Sequence, residues 1–307
     1  MTSNGIEGVM VPILTPLTPD EKVDKASLRR LVRYLIDNGV HGIWAAGTTG
    51  EFAALPDSER LIAIETVVDE VAGRVPVIGN ISAAGTELAV ELGLSLLEAG
   101  LDAMAATPPY YYPCAQDELQ DHFRYIKDRV GAALWVYNIP PTVKTTVEPA
   151  TIAGLAGEGT VAGVKDSSGA GELLAQLNVL CDQAGIELRR FLGSEFRIAT
   201  TRGVGAHGVI PAIGNLTPAA AAKAWEAGEA GDATTVRELQ RKIMVASGVM
   251  RLARGGGPNA ARLAGMKSAL KIMGVIDHST MTRPLRPLND EEERGIPPIL
   301  EELGLAS

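Results

Sequence analysis

Residues 42–81, GIWAAGTTGEFAALPDSERLIAIETVVDEVAGRVPVIGNI, decide the fold. The stretch opens on a short apolar run, Gly42–Ala46, and closes on another, Pro76–Ile81. Neither run shows a consistent polar face, which is how a strand covered on both sides reads. Between them Leu61, Ile64, Val67, Val68 and Val71 recur at helical spacing over Asp57–Ala72, and Gly73 supplies the stop. Strand, helix and strand in this order form the repeating unit of a parallel sheet.

Working outward, the same unit recurs almost to residue 228. Further strands are expected at Gly8–Leu14, Ala103–Ala106, Ala133–Tyr137, Val161–Lys165, Arg190–Gly193 and Ala206–Pro211. Further helices are expected at Ala26–Asn38, Thr86–Ala99, Gln116–Val130, Pro149–Ala156, Gly171–Ala184, Glu195–Arg202 and Pro218–Ala227. Gly73, Gly100, Gly131, Gly185 and Gly203 stand where a helix must turn back to a strand. Eight strands, each followed by a helix, favour a closed (β/α)₈ TIM barrel over an open doubly wound sheet. The first strand also lacks the GxGxxG loop of a dinucleotide-binding sheet. After Gly231 the strands stop. Asp232–Arg254, Asn259–Met273 and Asp290–Leu303 read as helices, so the expectation is an α/β barrel over residues 1–228 and a helical extension over 229–307, packed on the barrel or on a neighbouring subunit.

Composition narrows the function. The 307 residues are 46% hydrophobic, ample for one large core, and carry a formal charge of −9. An acidic chain gains little from counterion release, so nucleic acid is excluded as a ligand. The N-terminus has no basic segment before an apolar one, and prolines interrupt its hydrophobic part, so neither a signal peptide nor a membrane span is expected and the default location is the cytoplasm. Cys114 and Cys181 have neither metal-ligand spacing nor a nearby His, and His41, His122, His207 and His278 show none. No metal site is expected.

Barrel enzymes place reacting groups at the C-terminal ends of strands. There the chain offers Gly47-Thr48-Thr49-Gly50-Glu51, the run Tyr110-Tyr111-Tyr112, Tyr137-Asn138, Lys165-Asp166, Gly193-Ser194-Glu195 and Ile210. Lys165 carries the most information. Both faces of a barrel strand are covered, so a lysine there loses water, and desolvation favours the neutral, nucleophilic amine. The plain alternative is a lysine that reaches past the strand end to solvent or to Asp166. Tyr137 ends the adjacent strand, and its phenol can relay protons while an imine forms. The turn around Thr48 and Thr49 offers hydroxyls and backbone N–H groups to a carboxylate, although an ordinary loop also favours Gly and Thr. Glu51 reads as a structural hydrogen-bond partner.

Taken together, Gly42-Ile-Trp-Ala-Ala-Gly-Thr-Thr-Gly-Glu51, Tyr137-Asn-Ile-Pro140 and Gly163-Val-Lys-Asp-Ser167 resemble the dihydrodipicolinate synthase / N-acetylneuraminate lyase family of class I aldolases, in order and spacing, over residues 5 to about 300. The resemblance implies a lyase that needs no metal or cofactor. Lys165 would form an imine with pyruvate or another 2-keto acid, with an aldehyde as the second reactant. Tyr137 would shuttle the proton, Thr48 would join the relay, and Gly47, Thr48 and Thr49 would hold the carboxylate. Tyr111 would reach into a neighbouring subunit's site, the Ile210 carbonyl would lie near the imine, and the assembly would be a homotetramer, a dimer of dimers.

One departure bears on the second substrate. The resemblance implies, for a true dihydrodipicolinate synthase, an arginine two residues after the proline of Tyr-Asn-x-Pro, gripping the carboxylate of aspartate semialdehyde. Here that position is Thr142, and Lys144 two residues on offers only a point charge. A lyase acting on a 2-keto-3-deoxy acid or a related hydroxy-keto acid is therefore expected first. 4-Hydroxy-tetrahydrodipicolinate synthesis is the alternative. A non-catalytic keto-acid sensor would not need Lys165, Tyr137 and Thr48 together, and a phosphate site at Gly193-Ser194-Glu195 would face the charge of Glu195.

Overall fold

The computed structural model describes residues 5–169 and 171–305. Residues 1–4, part of the N-terminal stretch read above, lie outside them. Eight parallel strands close into a barrel in the order of the chain. They are β1 (Gly8–Pro12), β2 (Gly42–Ala45), β3 (Val77–Asn80), β4 (Ala103–Ala106), β5 (Leu134–Asn138), β6 (Gly163–Asp166), β7 (Arg189–Leu192) and β8 (Gly208–Val209). The TIM-barrel expectation holds.

Helices surround the barrel. They are α1 (Lys25–Asp37), α2 (Asp57–Val71), α3 (Thr86–Ser95), α4 (Gln116–Val130), the single turn α5 (Pro140–Val143), α6 (Pro149–Gly157), α7 (Glu172–Ala184) and α8 (Pro218–Glu229). Four more follow: α9 (Ala233–Ala246), α10 (Pro258–Ile272), α11 (Asp290–Glu293) and α12 (Ile296–Leu303). Among the described residues no helix is long and apolar enough to cross a membrane.

Strand alternation sorts the apolar residues into two cores. One set, including Val9, Val11, Ile43, Ala45 and Val136, packs outward against the helices. The other, Met10, Trp44, Ile78, Trp135, Tyr137 and Phe191 among them, fills the barrel interior. Trp135 packs on Trp44 edge-on at 6.3 Å and on Phe191 at 5.2 Å between ring centroids. Gly163 makes room for this stack: a Cβ there would lie 2.4 Å from the Trp135 ring.

Four expectations change. Thr86–Ala99 is α-helical only to Ser95 and finishes in a 3-10 turn over Leu97–Ala99. Glu195–Arg202 is not an α-helix. Its second half belongs to a 3-10 helix at Ile198–Val204, and the left-handed stop is Gly205, not Gly203. Here Ser194 Oγ accepts the Phe196 N–H, and Thr201 Oγ1 donates to the Arg197 carbonyl, side-chain bonds that compete with a regular helix. Asp290–Leu303 is broken between Glu293 and Ile296, where Arg294-Gly295 intervenes. The helix from Asp232 runs as α9 only to Ala246, then tightens into a 3-10 turn over Ser247–Arg251.

Candidate active site

The C-terminal ends of β2, β5, β6 and β8 converge on a cavity of about 220 Å³. Thr48, Thr49, Tyr137, Lys165 and Ile210 line it. The pairing of β5 with β6 sets Tyr137 directly beside Lys165, so both face inward at the same level. Lys165 is 3% exposed, and its Nζ lies 4.1 Å from the centroid of the Tyr137 ring and 4.8 Å from that of Trp44. Burial in this aromatic wall pushes the amine down to about 7, while the negative charge of Glu195 opposes the shift. Burial pushes the Tyr137 phenol up to about 12, against its hydrogen bonds to Thr48 and Ser167. A neutral amine and a protonated phenol therefore coexist near pH 7.

Thr48 Oγ1 and Tyr137 Oη are 3.1 Å apart, linking β2 to β5 across the barrel mouth. The turn that carries Thr48 is tight. Ala46 and Glu51 sit at φ of 50° and 61°, and a Cβ on Gly47 would lie 2.9 Å from the Trp44 ring. The N–H groups of Gly50 and Glu51 are used inside the turn, by the carbonyls of Gly47 and Thr48. Gly47 itself shapes this turn and is absent from the cavity wall.

Glu51 anchors the turn from beneath. Its carboxylate, fully buried, pairs with Lys267 of α10, and its Oε2 accepts the N–H and hydroxyl of Thr282 at 2.8 and 2.7 Å. Lys267 Nζ also donates to the Thr280 carbonyl at 2.8 Å. Burial lowers the Lys267 pKa and the Glu51 charge opposes that shift. Behind Lys165, Asp166 Oδ1 accepts from Asn138 Nδ2 at 3.2 Å and from the Ser168 N–H at 3.0 Å, which fixes the loop after β6.

Three further residues singled out in the sequence take different positions. Thr142 borders the cavity from α5. Lys144 does not. It closes α5 in a left-handed conformation, and its Nζ turns back to the Pro141 carbonyl at 2.9 Å. In this position its ammonium is not aimed into the cavity. Tyr111 is 76% exposed and stacks edge-on against Tyr112 at 5.0 Å, outside its own chain's cavity.

Sequence reasoning missed Arg262. This residue of α10 lines the cavity and donates from Nη2 to Glu195 Oε1 at 2.6 Å. The pattern over Asn259–Met273 predicts a helix but does not say that it lines the barrel mouth. Glu195 is thus tied to an arginine in the cavity wall.

The dihydrodipicolinate synthetase family profile matches residues 5–303. The chain belongs to this family. With the family comes the enzyme class, a lyase. A DapA-like lyase of Halobacterium salinarum, itself uncharacterized, is 34% identical over 301 residues, 98% of this chain and 95% of that protein. A 4-hydroxy-tetrahydrodipicolinate synthase of Desulfotalea psychrophila is 34% identical, with 92% of each chain covered. Among solved structures, the dihydrodipicolinate synthase of Bacteroides thetaiotaomicron superposes with a TM-score of 0.90 at 29% identity, covering 97% of this chain and 99% of that one. Family membership extends to α10 and α12, so the helices after the barrel belong to the matched unit.

Proposed function

We propose that this chain is a Schiff-base lyase that joins or splits a C–C bond next to an imine-bound pyruvate. One observation carries the reading: a buried Lys165 amine held near neutrality beside a Tyr137 phenol that is hydrogen-bonded to Thr48. The neutral amine attacks the keto carbon, and Tyr137 and Thr48 pass the proton that lets water leave. Thr48 and Thr49 hold the keto-acid carboxylate. The imine withdraws electrons from the neighbouring carbon, which loses a proton and becomes the nucleophile towards an aldehyde. In reverse, a 4-hydroxy-2-keto acid is cleaved. Each cycle releases one water as the imine forms and consumes one as it is hydrolysed, so the reaction requires no further cofactor.

The same proposal includes a cytoplasmic homotetramer in which the partner's copy of Tyr111 completes each site. The exposure of Tyr111 outside its own cavity supports that exchange, and the two free cysteines suit a reducing compartment. It also includes a division at about residue 228, with the helical extension over 229–307 lying on the barrel. A sensor would have no use for the proton relay. 4-Hydroxy-tetrahydrodipicolinate synthesis remains the second reading because relatives at 34% identity bear that name. Thr142 and the averted Lys144 weigh against it.

Borohydride reduction in the presence of pyruvate tests the proposal. Mass spectrometry is expected to find a covalent adduct on Lys165 of the wild type and none on Lys165→Ala. Absence of an adduct with pyruvate and with longer 2-keto acids would sink the imine reading.

A further inference from the structure

A second cavity, of about 260 Å³, opens beside the imine cavity and shares Thr48, Ile139, Thr142, Asn259 and Leu263 with it. Beyond that shared border its wall changes character. Phe52, Val143, Leu285 and the Tyr110 ring face it, with no lysine or arginine. Phe52 and Tyr110 meet edge-on at 6.2 Å, forming one aromatic side. The carboxylate of Glu51 touches the annex but is committed to Lys267 and Thr282. Thr107 Oγ1 is buried there without a partner among the described residues. The annex thus offers a large apolar surface and very few free polar groups.

We infer that the aldehyde partner carries a flat apolar tail and that this tail lodges in the annex, which makes the partner an aryl or alkenyl aldehyde, not a polyhydroxylated one. The inference rests on the imine reading above. The two cavities are continuous: a tail extending from the carbon that bonds to imine-bound pyruvate leaves the polar cavity across Ile139 and Leu263 and enters the annex. The hydroxyls of a sugar chain would lose water there and find few partners, which disfavours them. A ring meets the edge-on pair of Phe52 and Tyr110 and can present one polar substituent to Thr107. The reaction balances as pyruvate plus R–CHO giving R–CH(OH)–CH₂–CO–COO⁻. One C–C bond forms, and the proton lost from the pyruvate methyl is matched by one gained at the aldehyde oxygen.

Two measurements on the full chain separate this inference from its foundation. Exchange of the pyruvate methyl protons in D₂O, followed by NMR, reports imine and enamine formation with no aldehyde present. Release of pyruvate from 4-hydroxy-2-oxo-4-phenylbutanoate and from 2-keto-3-deoxygluconate then compares the tails. The expected result is intact exchange, with kcat/KM at least tenfold higher for the phenyl compound. Leu285→Trp, which fills the annex, is expected to lower cleavage of the phenyl compound at least tenfold while exchange stays within twofold. Ala54→Phe at the exposed rim serves the same purpose should Leu285→Trp not fold. Intact exchange with the sugar acid preferred, or filling variants that leave phenyl cleavage unchanged, would overturn the annex assignment. Loss of exchange in the wild type would instead remove the imine reading, and the assignment with it.

Discussion

Lys165 is the residue on which the chemistry turns, and its environment sets a pH signature. An amine held at about 7 is half neutral at that pH and mostly neutral above it. If imine formation limits the reaction, kcat/KM is expected to rise tenfold per pH unit below about 7 and to level off above it. Stopped-flow or steady-state rates between pH 5.5 and 9 check this. A rise that continued towards 10 would mean that the amine is hydrated and the aromatic wall does not act as argued. Stability follows the same direction. The folded pKa lies below the unfolded value of 10.5, so between about 7 and 10.5 the unfolded chain binds more protons and stability rises with pH. Below about 7 the cost of burying a charged Lys165 is fully present.

At the scale of elements, the turn after β2 and helix α10 depend on one another through Glu51 and Lys267. Both side chains are fully buried, so removing one partner leaves an uncompensated charge. Lys267→Met is expected to cost about 3–5 kcal/mol of stability. The double variant Glu51→Gln/Lys267→Met should recover part of that in urea denaturation. No recovery would mean that lost packing, not the stranded carboxylate, is responsible. The same contact shows where sequence reading stops. The strands were legible because a run buried on both sides, such as Gly42–Ala45 or Gly163–Asp166, has a recognisable composition. Lys165 and Tyr137 were legible because both stand at strand ends on adjacent strands. Arg262 and Lys267 were not, since a helix that is buried on all sides over 263–270 carries no pattern that says what it packs against. The averted Lys144 was equally hidden, because its direction depends on a left-handed residue at the end of α5 that no local pattern announces.

At the scale of the whole molecule, the exposed Tyr111 makes a claim about assembly. If each site takes this tyrosine from a partner, Lys165→Ala and Tyr111→Phe should complement one another. Either variant alone is expected to be nearly inactive. Mixed, dissociated and reassembled at random, about half of the dimers are hybrids with one intact site of two, so roughly a quarter of wild-type activity should return. Failure to complement would place Tyr111 outside the partner's site. The anchoring of Glu51 also bears on how the molecule comes into being. Thr282, one of its partners, lies 231 residues further along the chain. At about 5–20 residues per second a ribosome needs on the order of ten to fifty seconds to cover that distance. Late in that interval, once β8 has been made, a nascent chain holds all of its strands while the loop that presents Thr48 has an acid beneath it with no counterpart. The reactive turn is therefore seated only after the chain has been made as far as Thr282, and chains clipped before α10 would carry a barrel whose reactive turn is never seated.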